Sequence, residues 1–277
     1  MALALAAAVA VAACGGGDDE EPSIPQSGER ETTTSQQTTT SAPAAGDEGA
    51  LQIVVTNDDG VAAAGIDALV TALTAMDGVE VTVVAPADQR SGTGGSATEG
   101  PLTRTEQALA SGYAATAVDG FPADTIRVAL DDLGLHPDLV ISGINEGQNL
   151  GPLVDVSGTV GAARAALRRG VPALAVSQGI GTTYHYEVAA RLVVGWLVEN
   201  RDALAAGDFP ADVVLNLNVP SCEAGEVRGT VEVDSATAGD AGAAQDCTAT
   251  AEGFTDDVTA FTNGFATLTE VPIEPAA

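Results

Sequence analysis

The chain has 277 residues, 39 acidic and 10 basic, for a formal net charge of -29 at pH 7. All ten basic residues are Arg, so a P-loop lysine, a Schiff-base lysine and a cation-rich nucleic-acid surface are excluded. Two His and three Cys are too few for a zinc site of ordinary His or Cys design, whereas the Val, Ile, Leu and Ala content suffices for a sizeable α/β core.

Met1 to Ala13 is an almost unbroken Ala, Leu and Val run that closes on Val11-Ala12-Ala13-Cys14 and is followed by Gly15-Gly16-Gly17. It is too short to span a bilayer. Small residues before a Cys, then a polar tract, are similar to a bacterial lipoprotein signal, although no positive residue precedes the run. Residues 1–14 are therefore expected to be a signal. Cys14 would carry a lipid and hold the chain on the outer face of the cytoplasmic membrane. Residues 15–50 are acidic and then rich in Thr, Ser, Gln and Pro, with no apolar periodicity. They read as a disordered tether with an extended reach on the order of 100 Å.

The folded part is predicted to begin at Leu51 and to run through residues 51–277. Leu51 to Thr56 reads as a buried strand, and Asn57-Asp58-Asp59-Gly60 as a turn at its carboxyl end. Ile66, Leu69, Val70 and Leu73 have helical spacing within 64–76, and 79–85 is a second strand. Strand, helix, strand in this order starts a parallel α/β sheet. Residues 102–118 read as a hairpin about Ala110-Ser111-Gly112. Helices are predicted over 122–133, 158–169 and 184–204, and strands over 138–142, 173–176 and 213–217. Short strands at 228–233 and 265–268 close the chain in a Gly-, Asp- and Thr-rich region. The fold class is a three-layer α/β/α, Rossmann-like, mostly parallel sheet with a β-rich C-terminal extension.

In an open α/β sheet the chemistry sits in loops beyond the carboxyl ends of the strands. Asp58 and Asp59 are adjacent in the first such loop and repel unless a cation or proton neutralises them. Oxygen ligation of this kind suits Mg²⁺ or Mn²⁺. The same tetrapeptide is also good Asx-turn chemistry, and taken alone it leaves both readings open. The loop Arg90-Ser91-Gly92-Thr93-Gly94-Gly95-Ser96 offers hydroxyls and backbone N–H groups to an anion. Ser142-Gly143-Ile144-Asn145-Glu146-Gly147-Gln148-Asn149 supplies amide oxygens at the same sheet edge. Ser157-Gly158-Thr159-Val160-Gly161 opens a helix and reads both as an N-cap and as a phosphate seat.

These segments resemble the SurE survival-protein nucleotidases. The similar stretches are Thr56 to Val61 with Gly65-Ile66, Val84-Ala85-Pro86 through Gly92, Phe121 to Asp124, Ser142 to Asn145 with Gly147 and Asn149, Ser157 to Ala163, Leu215 to Pro220 and Gly264 to Thr269. The resemblance implies a metal-dependent phosphomonoesterase acting on nucleoside 5′- or 3′-monophosphates. Asp58, Asp59, Ser91 and Asn145 would hold Mg²⁺ or Mn²⁺, with Asp58 and Asp59 also catalytic. Asn57, Gly92, Asn149, Ser157, Gly158 and Thr159 would bind substrate. Homo-oligomers, dimers or tetramers, are implied as well. Leu153 and Val156 stand where the family carries Asp and Tyr, and Thr269-Glu270-Val271-Pro272 lacks the family's Thr-Pro pair.

The alternative is a non-enzymatic surface protein that binds nucleotide or metal in the same pocket. A dinucleotide-binding oxidoreductase is disfavoured, because no G-x-G-x-x-G follows the first strand. The strong negative charge favours mononucleotides over RNA or long polyphosphate. With Cys14 lipidated, Cys222 and Cys247 are left as an even pair in an exported chain. They are expected to form a disulfide, the other possibility being two buried thiols.

Overall fold

The computed structural model describes residues 49–275. The expected signal, Cys14 and all of the expected tether except Gly49 and Ala50 lie outside the described residues. Nine strands form one sheet in the order β3-β4-β2-β1-β5-β6-β7-β9-β8. The strands are β1 (Leu51–Thr56), β2 (Val79–Pro86), β3 (Arg104–Ala108), β4 (Ala114–Val118), β5 (Leu139–Glu146), β6 (Ala173–Gln178), β7 (Val213–Val219), β8 (Thr230–Glu232) and β9 (Ala266–Pro272). The central strands β4, β2, β1, β5, β6 and β7 are all parallel.

Helices cover both faces. α1 (Ala64–Thr74) and α4 (Tyr186–Ala206) pack on one side, α2 (Pro122–Arg127) and α3 (Gly158–Leu167) on the other. The strand period of two decides which side each residue feeds. Ile53 and Val55 join Ile66, Leu69, Leu73, Val193 and Leu197 in one core, whereas Val54 joins Ile126, Val160 and Ala163 in the other. Both faces are buried, which is why Ile53-Val54-Val55 of β1 and Leu139-Val140-Ile141 of β5 are unbroken apolar stretches rather than alternating ones. The expected helix 122–133 divides into α2 and a π-helical turn, Val128–Asp132.

The C-terminal region supplies the expected β-rich extension. It completes the same sheet, with β9 antiparallel to β7 and β8 parallel to β9. A short helix, α5 (Asp257–Thr262), lies where no helical spacing predicts one. Phe261 and Val258 of α5 pack with Leu150, Ala236 and Ala241 in a small third core. Asp257 is buried and accepts hydrogen bonds from the N–H groups of Gly151 and Ala236, both at 2.9 Å. The C-terminal region is thereby fastened to the loop after Asn149. Cys222 and Cys247 form a disulfide with their Cα atoms 5.6 Å apart.

Candidate active site

The chain passes from β1 outward to β2, then returns to β1's other side as β5. The carboxyl ends of β1 and β5 therefore flank the point where strand order reverses, the usual ligand crevice of open α/β sheets. Asn57-Asp58-Asp59-Gly60 leaves β1 at this crevice. Asn57 shapes the turn: its Nδ2 donates to the Gly60 carbonyl at 2.8 Å, and its Oδ1 accepts from the Gly60 N–H at 3.2 Å. Gly60 has φ +96°, a left-handed conformation that favours Gly. The side chain expected to bind substrate is thus committed within its own turn.

Asp58 is 2% exposed and is gripped by the start of α3. Thr159 Oγ1 donates to Asp58 Oδ1 at 2.8 Å, and the backbone N–H groups of Gly158 and Thr159 also favour its ionised form. Gly158 has no room for a side chain, since a Cβ there would sit 2.8 Å from Asp58 Cβ and Oδ2. The anion seated at this helix N-terminus is therefore the Asp58 carboxylate. Ser157 caps the helix by accepting from the Val160 N–H at 3.1 Å. Ser157 and Thr159, both expected at the substrate, are occupied in building the carboxylate's seat.

Asp59 accepts a hydrogen bond from the Glu146 N–H at 2.9 Å and another from the Ser91 hydroxyl. Burial, reinforced by the nearby Asp58 and Glu146 carboxylates, pushes Asp59 up to about 6 against these two donors. Burial also raises Asp58. Among the described residues neither carboxylate has an Arg or His within ion-pair distance.

The remaining loops interlock around this pair. The Arg90 N–H donates to the Asp58 carbonyl at 2.6 Å, and the Gly94 N–H to the Val156 carbonyl at 3.0 Å. Gly161 must be Gly, because a Cβ there would run into the Gly94 carbonyl oxygen. Gly92 is exposed with φ +73°, and a Cβ there would meet nothing within 4 Å. Asn145 is 7% exposed; its amide NH₂ donates to the Gly147 carbonyl, which orients the side chain, and among the described residues Oδ1 accepts no hydrogen bond. Gly143 is required because a Cβ would collide with the Val176 carbonyl.

Asn149 lies differently from expectation. Its N–H donates to Asn218 Oδ1 at 2.7 Å, and its carbonyl accepts from Asn216 and Asn218. Its side-chain NH₂ donates to Ser177 Oγ at 2.9 Å. It pins the loop to β6 and β7. Glu146, Tyr184 and Tyr186 are not among the residues the motifs single out, although Glu146 stands beside Asn145 in the same loop. Tyr186 Oη lies 3.5 Å from Glu146 Oε2.

The donor set fits a hard divalent cation. Two desolvated carboxylates without a cationic partner carry uncompensated charge, and Asn145 Oδ1 and Ser91 Oγ add neutral oxygens of the kind such ions take. Among the described residues no group of three or more His, Cys, Asp or Glu is arranged for a metal, so carboxylates alone would not complete this shell.

A family model described as "Survival protein SurE" matches residues 53–240. The chain belongs to the SurE family. It is 44% identical over 181 residues to 5′-nucleotidase SurE of Pelobacter propionicus, a match covering 64% of this chain and 69% of that one. It is 41% identical to 5′-nucleotidase SurE of Legionella pneumophila strain Philadelphia 1, with 65% and 68% covered. The crystal structure of the SurE protein from Aquifex aeolicus superposes with a TM-score of 0.64 at 28% identity, covering 81% of this chain and 94% of that one. Leu153 and Val156, the two departures from the SurE pattern, are exposed beside the start of α3.

Proposed function

We propose that this chain is a 5′-nucleotidase that hydrolyses nucleoside monophosphates, at the 5′ or 3′ position, to nucleoside and phosphate. The observation that carries this reading is the Asp58–Asp59 pair, desolvated at the switch point of the sheet and held by three separate loops. A divalent cation, Mg²⁺ or Mn²⁺, held by Asp58, Asp59, Asn145 and Ser91 would supply positive charge against the phosphoryl oxygens.

The chain's own residues prepare that chemistry. Thr159 and the α3 amides hold Asp58 in one orientation, and the Glu146 N–H and Ser91 hydroxyl hold Asp59. Gly92, exposed in the Arg90–Ser96 loop, is the residue proposed to offer its N–H to a phosphate oxygen. Asp58 and Asp59, both held ionised by a bound cation, would fix the attacking water and the phosphate against each other. Water oxygen bonds to phosphorus, the ester P–O bond breaks, and the nucleoside oxygen leaves with a proton.

Two features support an exported, surface-held enzyme: the Val11-Ala12-Ala13-Cys14 leader and the Cys222–Cys247 disulfide. Attachment through Cys14 and assembly into a homo-oligomer belong to the same proposal. Phosphate release from a panel of nucleoside monophosphates, with Mg²⁺, Mn²⁺ or EDTA, tests the central claim. Cation-dependent turnover is expected, and turnover equally fast in EDTA overturns it.

A further inference from the structure

Two tyrosines at the start of α4 are not used by the carboxylate site and yet are attached to it. Tyr184 and Tyr186 stack with ring centroids 5.5 Å apart and planes 8° from parallel. Tyr186 is the inner ring. It packs on the α1–α4 core and lies so close to α1 that a Cβ on Gly65 would be 3.2 Å from its Cε1. Both hydroxyls share the Glu146 carboxylate, and the Glu146 N–H is the donor that orients Asp59. Burial and the adjacent Glu146 and Asp59 charges push both phenols up, so they remain protonated donors.

The geometry has a direction. The Tyr186 hydroxyl end lies at Glu146, the residue whose N–H holds Asp59. Tyr184 is the outer ring; its only ring contact among the described residues is Tyr186, on one face. Near this mouth Ile180 is 61% exposed, with its side chain against Gly147. A backed aromatic face that starts at a phosphate-processing centre offers what a nucleobase needs once its sugar has spaced it from the phosphate.

We propose that Tyr184, backed by Tyr186, is the platform on which the substrate's nucleobase stacks, and that it makes this chain favour purine nucleotides over sugar phosphates of equal charge. The proposal rests on the nucleotidase reading above and adds the element that recognises the base. A purely structural role for the pair, fixing the entry to α4, predicts different behaviour.

The test compares the wild-type protein with Tyr184→Ala and Tyr184→Phe on AMP, GMP, CMP and ribose 5-phosphate in saturating Mg²⁺. Stacking on one aromatic ring is worth roughly 5- to 150-fold in affinity. Tyr184→Ala should therefore raise KM for AMP and GMP about tenfold or more, with kcat changed less than about twofold. Ribose 5-phosphate kinetics and Tm should stay as in the wild type, and Tyr184→Phe should behave like the wild type. Equal changes on AMP and ribose 5-phosphate, or none on either, overturn the platform. Equilibrium binding of AMP and ribose 5-phosphate separates this failure from that of the nucleotidase reading. A protein without turnover that loses AMP affinity in Tyr184→Ala keeps the platform and loses the activity. An active protein indifferent to the substitution does the reverse, and one that binds AMP no better than ribose 5-phosphate refutes the platform outright.

Discussion

Asp59→Asn should make the metal-free protein more stable while removing its activity. Burial, with Asp58 and Glu146 nearby, lifts the folded-state Asp59 from 3.8 to about 6. Between those two values the folded protein binds more protons at this site than the unfolded chain does. Stability therefore falls as pH rises through the window, and above about pH 6 the full cost of the charge is present. A shift of about two units corresponds to roughly 3 kcal/mol, and partial exposure of the group screens this to about 1–2 kcal/mol. Asn keeps an oxygen to accept from the Glu146 N–H and carries no charge, so that cost disappears. In EDTA at pH 7 the variant should melt about 2–6 °C above the wild type. At pH 4 the two should coincide. Added Mg²⁺ or Mn²⁺ should raise the wild-type Tm by neutralising the carboxylates and should do much less for the variant. Calorimetry or thermal fluorescence from pH 4 to 7, with and without EDTA, reads all three effects. A metal-free variant that is equal to or less stable than the wild type across that range would refute the assignment of unrelieved charge to this site.

Asp58→Asn should cost at least about a hundredfold in phosphate release with the fold retained by circular dichroism, since a fixed ligand charge is lost. Thr159→Val removes the 2.8 Å hydrogen bond to Asp58 and should raise the half-saturating Mg²⁺ or Mn²⁺ concentration about 10- to 100-fold, measured by metal titration of activity. Gly161→Ala drives a Cβ into the Gly94 carbonyl and should cost about 1–3 kcal/mol in denaturant unfolding. Replacing both Cys222 and Cys247 by Ser opens a link across a sequence separation of 25 and should lower stability by about 3 kcal/mol, with dithiothreitol doing the same to the parent protein.

Local chemistry by itself determined the parallel α/β core and the edge of the sheet that carries function. The runs of β1, β5 and β6 are apolar because both sheet faces are covered, and the helical spacing of Ile66, Leu69, Val70 and Leu73 survives as the buried face of α1. Turn-forming Asn, Asp, Gly and Ser mark the strand ends because they are chosen for backbone geometry, which is read within a few residues. Tertiary structure decided the rest. Insertion of β9 between β7 and β8 depends on pairing across about 50 residues, and α5 is a six-residue helix without enough apolar spacing to announce itself. The same holds for the polar side chains of the site. Thr159 as a residue type suits a phosphate or a carboxylate equally; it serves Asp58 because folding brings together residues 101 positions apart. Asn149 was equally ambiguous until Asn216, Asn218 and Ser177 closed around it. A donor's identity is written in the chain, but its acceptor is whatever the packed sheet places within about 3 Å, and that distance exists only after folding.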